Sequence, residues 1–136
     1  MEGERDGSEF INSYRDLQVW QEAMMVAEHC YQLTRGFPRE EAFGLTSQIR
    51  RSAASIPANI AEGHGRESTG AFVNSLRIAQ GSLKELETHV ILSGRVGLAE
   101  PSGVDRTLAR CDALGRKLRG LIRSLQRRDA ARKDAP

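Results

Sequence analysis

Apolar residues recur along the chain at intervals of three and four, the spacing that lines one face of an α-helix, and they do so in four separate stretches. The series Leu17, Trp20, Met24, Ala27 and Tyr31 predicts a first helix starting near Asp16, a residue type suited to capping the free N–H groups of a first turn. Gly36, Phe37 and Pro38 end it. A second helix opens on Arg39-Glu40-Glu41, whose acids suit the positive end of a helix, and runs through Phe43, Ile49, Ala53, Ile56 and Ile60. Pro57 falls inside this series. It removes one backbone donor and crowds the preceding turn, so a kink is expected between Ala53 and Pro57. Gly63 is placed to take the left-handed conformation that closes a helix, and Ser68 to cap the next.

The third helix carries the most regular stripe, Phe72, Leu76, Ala79, Leu83, Leu86 and Val90, with Gly81 as its odd member. A mid-helix glycine costs about 1 kcal/mol against alanine, so Gly81 is expected where a neighbouring backbone comes close. After a loop from Gly97 to Gly103, the fourth helix shows Val104, Leu108, Cys111, Leu118, Ile122 and Leu125, and ends at Arg127-Arg128. No stretch alternates with period two long enough to form a strand. Four amphipathic helices joined by short loops predict an all-α, antiparallel up-down four-helix bundle over residues 14–128, between a disordered leader (1–13) and a disordered tail (129–136).

Two helices carry a second apolar set: Val19, Ala23, Val26, Cys30 and Leu33 on the first, Ile78, Leu92 and Val96 on the third. This surplus reads either as a wider core stripe or as a face that asks for further copies of the chain.

Composition agrees with a globular helical domain. Of 136 residues 39% are hydrophobic and 28% charged, and the 5% aromatic share argues against a sheet-rich fold. A single core of this size needs neither metal nor disulfide. Cys30 and Cys111 lie within apolar helical patterns, away from any CxxC or His/Cys cluster, and read as small buried hydrophobes or as a thiol pair across two helices. No run of about 18 apolar residues exists, and the N-terminus is acidic and polar rather than basic and then apolar. A cytoplasmic protein without a membrane span is expected.

Charge changes the picture more. The net charge is +2, yet residues 1–104 hold 10 basic and 14 acidic side chains while 105–136 hold 10 and 4, which makes the fourth helix the basic end. A basic helix follows phosphates through counterion release, or simply forms a solvated face.

Catalytic patterns are missing. His29, His64 and His89 are scattered, the serines of 52–55 sit in no GxSxG, and Gly63-x-Gly65 lacks the Lys-Ser/Thr of a phosphate loop. Glu85 and Glu87 are two apart and diverge on a helix. The reading is not an enzyme, with no cofactor and no metal. Polar chemistry gathers instead around the second helix, with Gln48, Arg50 and Arg51 before Pro57 and Asn59, Glu62 and Arg66 after it. Either these form an internal hydrogen-bond network, or Arg50, Arg51, Arg66 and Arg77 meet phosphate, joined by Arg116, Lys117, Arg119 and Arg123 of the fourth helix. No aromatic platform for stacking bases accompanies them, which favours duplex or backbone contact over single-strand readout.

The strings YRDLQVWQEA (14–23), LTRGFPREEAFGLTSQIRRSAASIPANIAEGHGR (33–66) and FVNSLRIAQGSLKELETH (72–89) resemble the four-helix-bundle family encoded in intervening sequences of bacterial 23S rRNA genes. The likeness spans about residues 14 to 98, and the fourth helix matches only in character. It implies a left-handed bundle that assembles as a ring-like homopentamer. It also implies a relation to accessory proteins of diversity-generating retroelements, which are basic pentamers that bind RNA and a reverse transcriptase. The function expected is that of a homo-oligomeric RNA or ribonucleoprotein binder. The alternative is a protein-interaction scaffold, for instance for a reverse transcriptase, without direct RNA contact. The near-neutral charge of this chain departs from those basic relatives.

Overall fold

A computed structural model describes residues 13–134. Four helices follow in order: α1 (Gln18–Thr34), α2 (Leu45–His64), α3 (Thr69–Arg95) and α4 (Pro101–Asp134), with 3-10 turns at Tyr14–Asp16 and Arg39–Glu41. Each packs on two neighbours, α1 on α2 and α4, α3 on α2 and α4, while the diagonal pairs do not meet. Among the described residues there is no strand. The four-helix, all-α architecture expected from periodicity is therefore present. The leader expected over residues 1–13 lies, but for Ser13, outside the described residues.

The core is built from the predicted α3 stripe, with Leu76, Ala79, Leu83, Leu86 and Val90 at or near zero exposure. Ile49, Ile56 and Ile60 of α2 and Cys111, Leu114 and Leu118 of α4 meet it. Burying each such aliphatic side chain contributes roughly 1.5–3 kcal/mol. Hydroxyls inside the bundle are satisfied locally: Ser52 donates to the Gln48 carbonyl at 2.8 Å, Ser93 to Val90 at 2.7 Å and Thr107 to Gly103 at 2.8 Å.

On α1 the two apolar sets exchange roles. Val19, Ala23, Val26 and Cys30, read above as surplus, form the buried face, whereas Trp20, Met24 and Ala27 are half-buried and Tyr31 is exposed. Small side chains fit the dense centre where helices approach, and the bulky ones move to the rim, where they cover the seam with α2. On α3 the surplus does stay outside, with Ile78, Leu92 and Val96 all exposed.

Several boundaries differ from expectation. Ser13 accepts from the Arg15 N–H at 3.0 Å and winds Tyr14–Asp16 into a 3-10 turn, so Asp16 is not the cap and α1 starts after Leu17. Arg39–Glu41 form a separate turn from which Glu41 reaches forward, its Oε1 accepting the Leu45 N–H at 3.1 Å, and α2 starts there instead. α2 is a single helix through Pro57, which is buried. Gly63 is a buried helical residue rather than a left-handed cap: an added Cβ would lie 2.4 Å from Ser75 Cβ, so it lets α2 and α3 close on each other. Among the described residues the left-handed glycine is Gly97, with φ of 83°. Gly81, expected at a close approach, has nothing within 4 Å of where a Cβ would stand. Ser68 caps α3 as predicted, accepting from Ala71 N–H at 3.1 Å. α4 continues six residues past Arg128, to Asp134, its last turn tied by Asp129 to Arg132 at 3.1 Å and to Lys133 at 3.2 Å.

Candidate nucleic-acid interface

Of the eight cations singled out in the sequence, some are tied up within the chain and two, Arg77 and Arg119, share a groove. Arg50, on α2, is held by α1: its Nε donates to Thr34 Oγ1 at 2.9 Å and its guanidinium lies 4.5 Å from the centre of the Tyr31 ring. Thr34 in turn donates to the Cys30 carbonyl at 2.8 Å, which fixes its lone pairs toward the arginine. Arg66 pairs with Glu62 one turn back at 3.0 Å, and Lys117 bridges α4 to α1 through Glu22 at 3.0 Å. Those three serve local or interhelical contacts. Arg51, on α2, is exposed.

Arg77 and Arg119 come together. α3 and α4 run side by side, and an open groove of about 380 Å³ between them is lined by Arg77, Gln80, Gly81, Leu83, Lys84, Gly115 and Arg119. Arg77 and Lys84 are seven residues apart, two turns on one side of α3; of the α4 arginines only Arg119 lines the groove, while Arg116 and Arg123 are exposed elsewhere on that helix. Arg116 is paired with Asp112. Lys84 donates to Glu87 at 3.2 Å while its side chain remains 72% exposed, so its charge faces solvent. The residues lining the groove include no carboxylate and no aromatic ring. Lys84 is the member that sequence reasoning missed. Its spacing from Arg77 was the available signal, but only the helix pairing shows that it faces Arg119.

The opposite seam, between α1 and α2, holds a larger groove of about 720 Å³ with a different lining, including Trp20, Met24, Ala27, Tyr31, Pro57 and Ala61. Its lining is mainly apolar, with Glu28, Gln32 and Arg35 as its charged and polar members, and Arg50, stacked on the Tyr31 ring, is already engaged.

The titratable groups of the interior offer little reactivity. Burial pushes the thiols of Cys30 and Cys111 up to about 12 each, so neither is a nucleophile near neutral pH. Burial, then the charges of Arg110 and Arg106, hold His29 below its ordinary value. Among the described residues no three His, Cys, Asp or Glu side chains gather as metal ligands, and no helix is long and apolar enough to cross a membrane.

Residues 15–120 match the family model of the 23S rRNA-intervening sequence protein. The chain belongs to that family. As an intervening-sequence protein it is also similar in fold to a crystal structure from Bacteroides thetaiotaomicron, a protein with unknown function from the S23 ribosomal protein family. The two are 24% identical with a TM-score of 0.69, over 76% of this chain and 97% of the other. No curated protein matches this intervening-sequence protein. The matched region covers α1 to α3 and most of α4, so both walls of the α3/α4 groove lie inside it.

Proposed function

We propose that this protein is a non-enzymatic, homo-oligomeric bundle that binds structured RNA or a ribonucleoprotein through the basic seam between α3 and α4. The observation that carries the reading is the convergence of cations: Arg77, Lys84 and Arg119 line one open groove with no carboxylate among its lining residues, Lys84 keeping its charge at the surface beside Glu87, whereas Arg50 and Lys117 are engaged by α1. Guanidinium and ammonium groups arranged along two parallel walls suit a phosphate backbone, which is contacted without reading its sequence. Self-association is supported by the apolar residues left exposed on α3, Ile78, Leu92 and Val96. A pentamer is the number that the family resemblance implies. Repeating the groove around a ring multiplies weak contacts into useful avidity.

The apolar α1/α2 groove favours a second reading, an interaction scaffold for another protein such as a reverse transcriptase, with no direct RNA contact. One titration separates the two. The first reading expects structured RNAs to bind with an affinity that falls steeply as salt rises, and to co-elute with the oligomer on a sizing column with light scattering. Salt-independent binding, or none to several structured RNAs, would sink it.

A further inference from the structure

Phe43 stands 98% exposed in the turn before α2, while the other exposed large apolar residues lie between 39% and 57%. Those others rest partly on their own helices, and the Phe43 ring rests on almost nothing. The turn that carries it is nonetheless held. The Ala42 and Gly44 N–H groups donate to the Arg39 and Glu41 carbonyls at 3.0 Å each, and the Glu41 carboxylate accepts from Leu45 N–H. An aromatic ring is thus presented to solvent on a fixed turn, where covering it would remove a large apolar surface from water.

The grooves among the described residues differ in what they would accept. Three of about 370, 340 and 380 Å³ carry ions in their lining: Arg128, Asp129 and Arg132 in one, Glu100 and Arg106 in the second, the basic trio in the third. The α1/α2 groove, of about 720 Å³, is twice as large and offers Trp20, Met24, Tyr31 and Pro57, the aromatic, thioether and aliphatic surfaces that suit a phenyl ring. Phe43 does not fill the groove of its own chain. The α2 residues lining it run from Ala54 to Ala61, and Ala54 is already nine residues past the start of α2, a rise of about 14 Å. Charge matches as well. Arg39 and Glu40, exposed beside Phe43, enter no ion pair among the described residues, and neither do Glu28 and Arg35, exposed in the groove lining. One unpaired charge of each sign flanks the ring, and one of each sign flanks the groove.

We propose that Phe43 of one copy seats in the α1/α2 groove of a second copy, with Arg39 set against Glu28 and Glu40 against Arg35. The inference rests on the self-association reading and assigns this groove to another copy of the chain rather than to a different protein. Ring and groove are different parts of one surface, so each copy inserts one and offers the other. Such a head-to-tail contact closes into a ring or continues as a filament, according to the rotation between copies.

Light scattering on a sizing column, over a dilution series, compares wild type with Phe43→Ser, Ala58→Glu and Met25→Ser. The first removes the ring, and the second puts a carboxylate into the groove at an exposed helical position. Met25 is an exposed apolar residue outside both, and serves as the control. Phe43→Ser and Ala58→Glu should each weaken self-association by about tenfold or more and shift mass toward the monomer, with the helical circular dichroism kept; Met25→Ser should assemble as wild type does. Wild-type assembly by Phe43→Ser or by a folded Ala58→Glu overturns the proposal while leaving self-association intact, and so does equal dissociation by Met25→Ser. A monomeric wild type overturns the self-association reading, and this inference with it. Should Ala58→Glu fail to fold, a photo-reactive benzophenone carried in place of the Phe43 ring reports on the same contact in a mixture of isotope-labelled and unlabelled chains. Its crosslinks should join labelled to unlabelled peptides within residues 20–35 or 54–61. Crosslinks confined to single chains, or directed to other segments, refute the docking.

Discussion

The two grooved seams of this bundle are made by the same kind of helix pairing, yet they end up with opposite chemistry. Between α1 and α2, large apolar side chains cover most of the gap, Arg35 lines it beside Glu28, and the guanidinium of Arg50, next to Tyr31, is satisfied by Thr34 and the Tyr31 ring. Between α3 and α4 the gap is lined by three cations, two glycines, Gln80 and Leu83, and Arg77, Lys84 and Arg119 are exposed. An arginine in a sequence therefore says little until its partners are known. The same residue type locks a fold on one side of the molecule and is offered to a ligand on the other.

The largest test of this contrast reverses charge on the basic seam. Arg77→Glu combined with Arg119→Glu should reduce affinity for structured RNA by about a hundredfold or more near 0.1 M salt, while the melting temperature stays within a few degrees of wild type. Loss of the fold instead would mean that these arginines act as Arg50 does. The converse substitution, Arg50→Ala, should destabilise the protein by roughly 1–3 kcal/mol in chemical denaturation, because a charge-assisted hydrogen bond to the Thr34 hydroxyl and a ring contact are lost. RNA affinity should change by less than about threefold. A strong RNA defect with unchanged stability would erase the distinction between the seams.

Two smaller effects sharpen it. Gly81→Ala should raise stability by up to about 1 kcal/mol, since the added methyl meets nothing, whereas Gly63→Ala should lower it because Ser75 is in the way. Thermal melts of the pair give the sign of each. His29, on the α1/α4 side, is held below its ordinary value of 6.5 in the folded chain by burial and by Arg110 and Arg106. The unfolded chain thus binds the proton first. Stability from this group is full above about 6.5 and is lost as pH falls from there toward the lowered folded value. His29→Gln should flatten that part of the stability–pH curve, and an unchanged slope would exclude His29 as its source.

Much of the fold was legible in the sequence, because three-and-four spacing specifies helices wherever one face is buried, and α3 reads the same in either description. The α1 face was not. Trp20, Met24 and Tyr31 are the bulky members of a regular apolar series, but spacing does not record how close the neighbouring helices come, and the small residues Ala23 and Cys30 fit the centre better. Helix starts were missed at Asp16 and Arg39 for a related reason: Ser13 and Glu41 act from just outside the helices they affect, through hydrogen bonds that periodicity does not reveal. For the site, single arginines were visible but their grouping was not. Arg77 and Arg119 are 42 positions apart, and only the α3/α4 pairing brings them with Lys84 to one groove, just as only the α1/α2 pairing removes Arg50 from the set.

The most direct measurement is the dependence of RNA affinity on salt, compared between wild type and the charge-neutral pair Arg77→Gln/Arg119→Gln. If the α3/α4 seam neutralises phosphates, the slope of log affinity against log salt should be steep in wild type and shallower by about two in the variant, with Arg50→Ala keeping the wild-type slope. Equal slopes for wild type and the Arg77/Arg119 variant, or a reduced slope only in Arg50→Ala, would contradict the assignment of RNA to this seam.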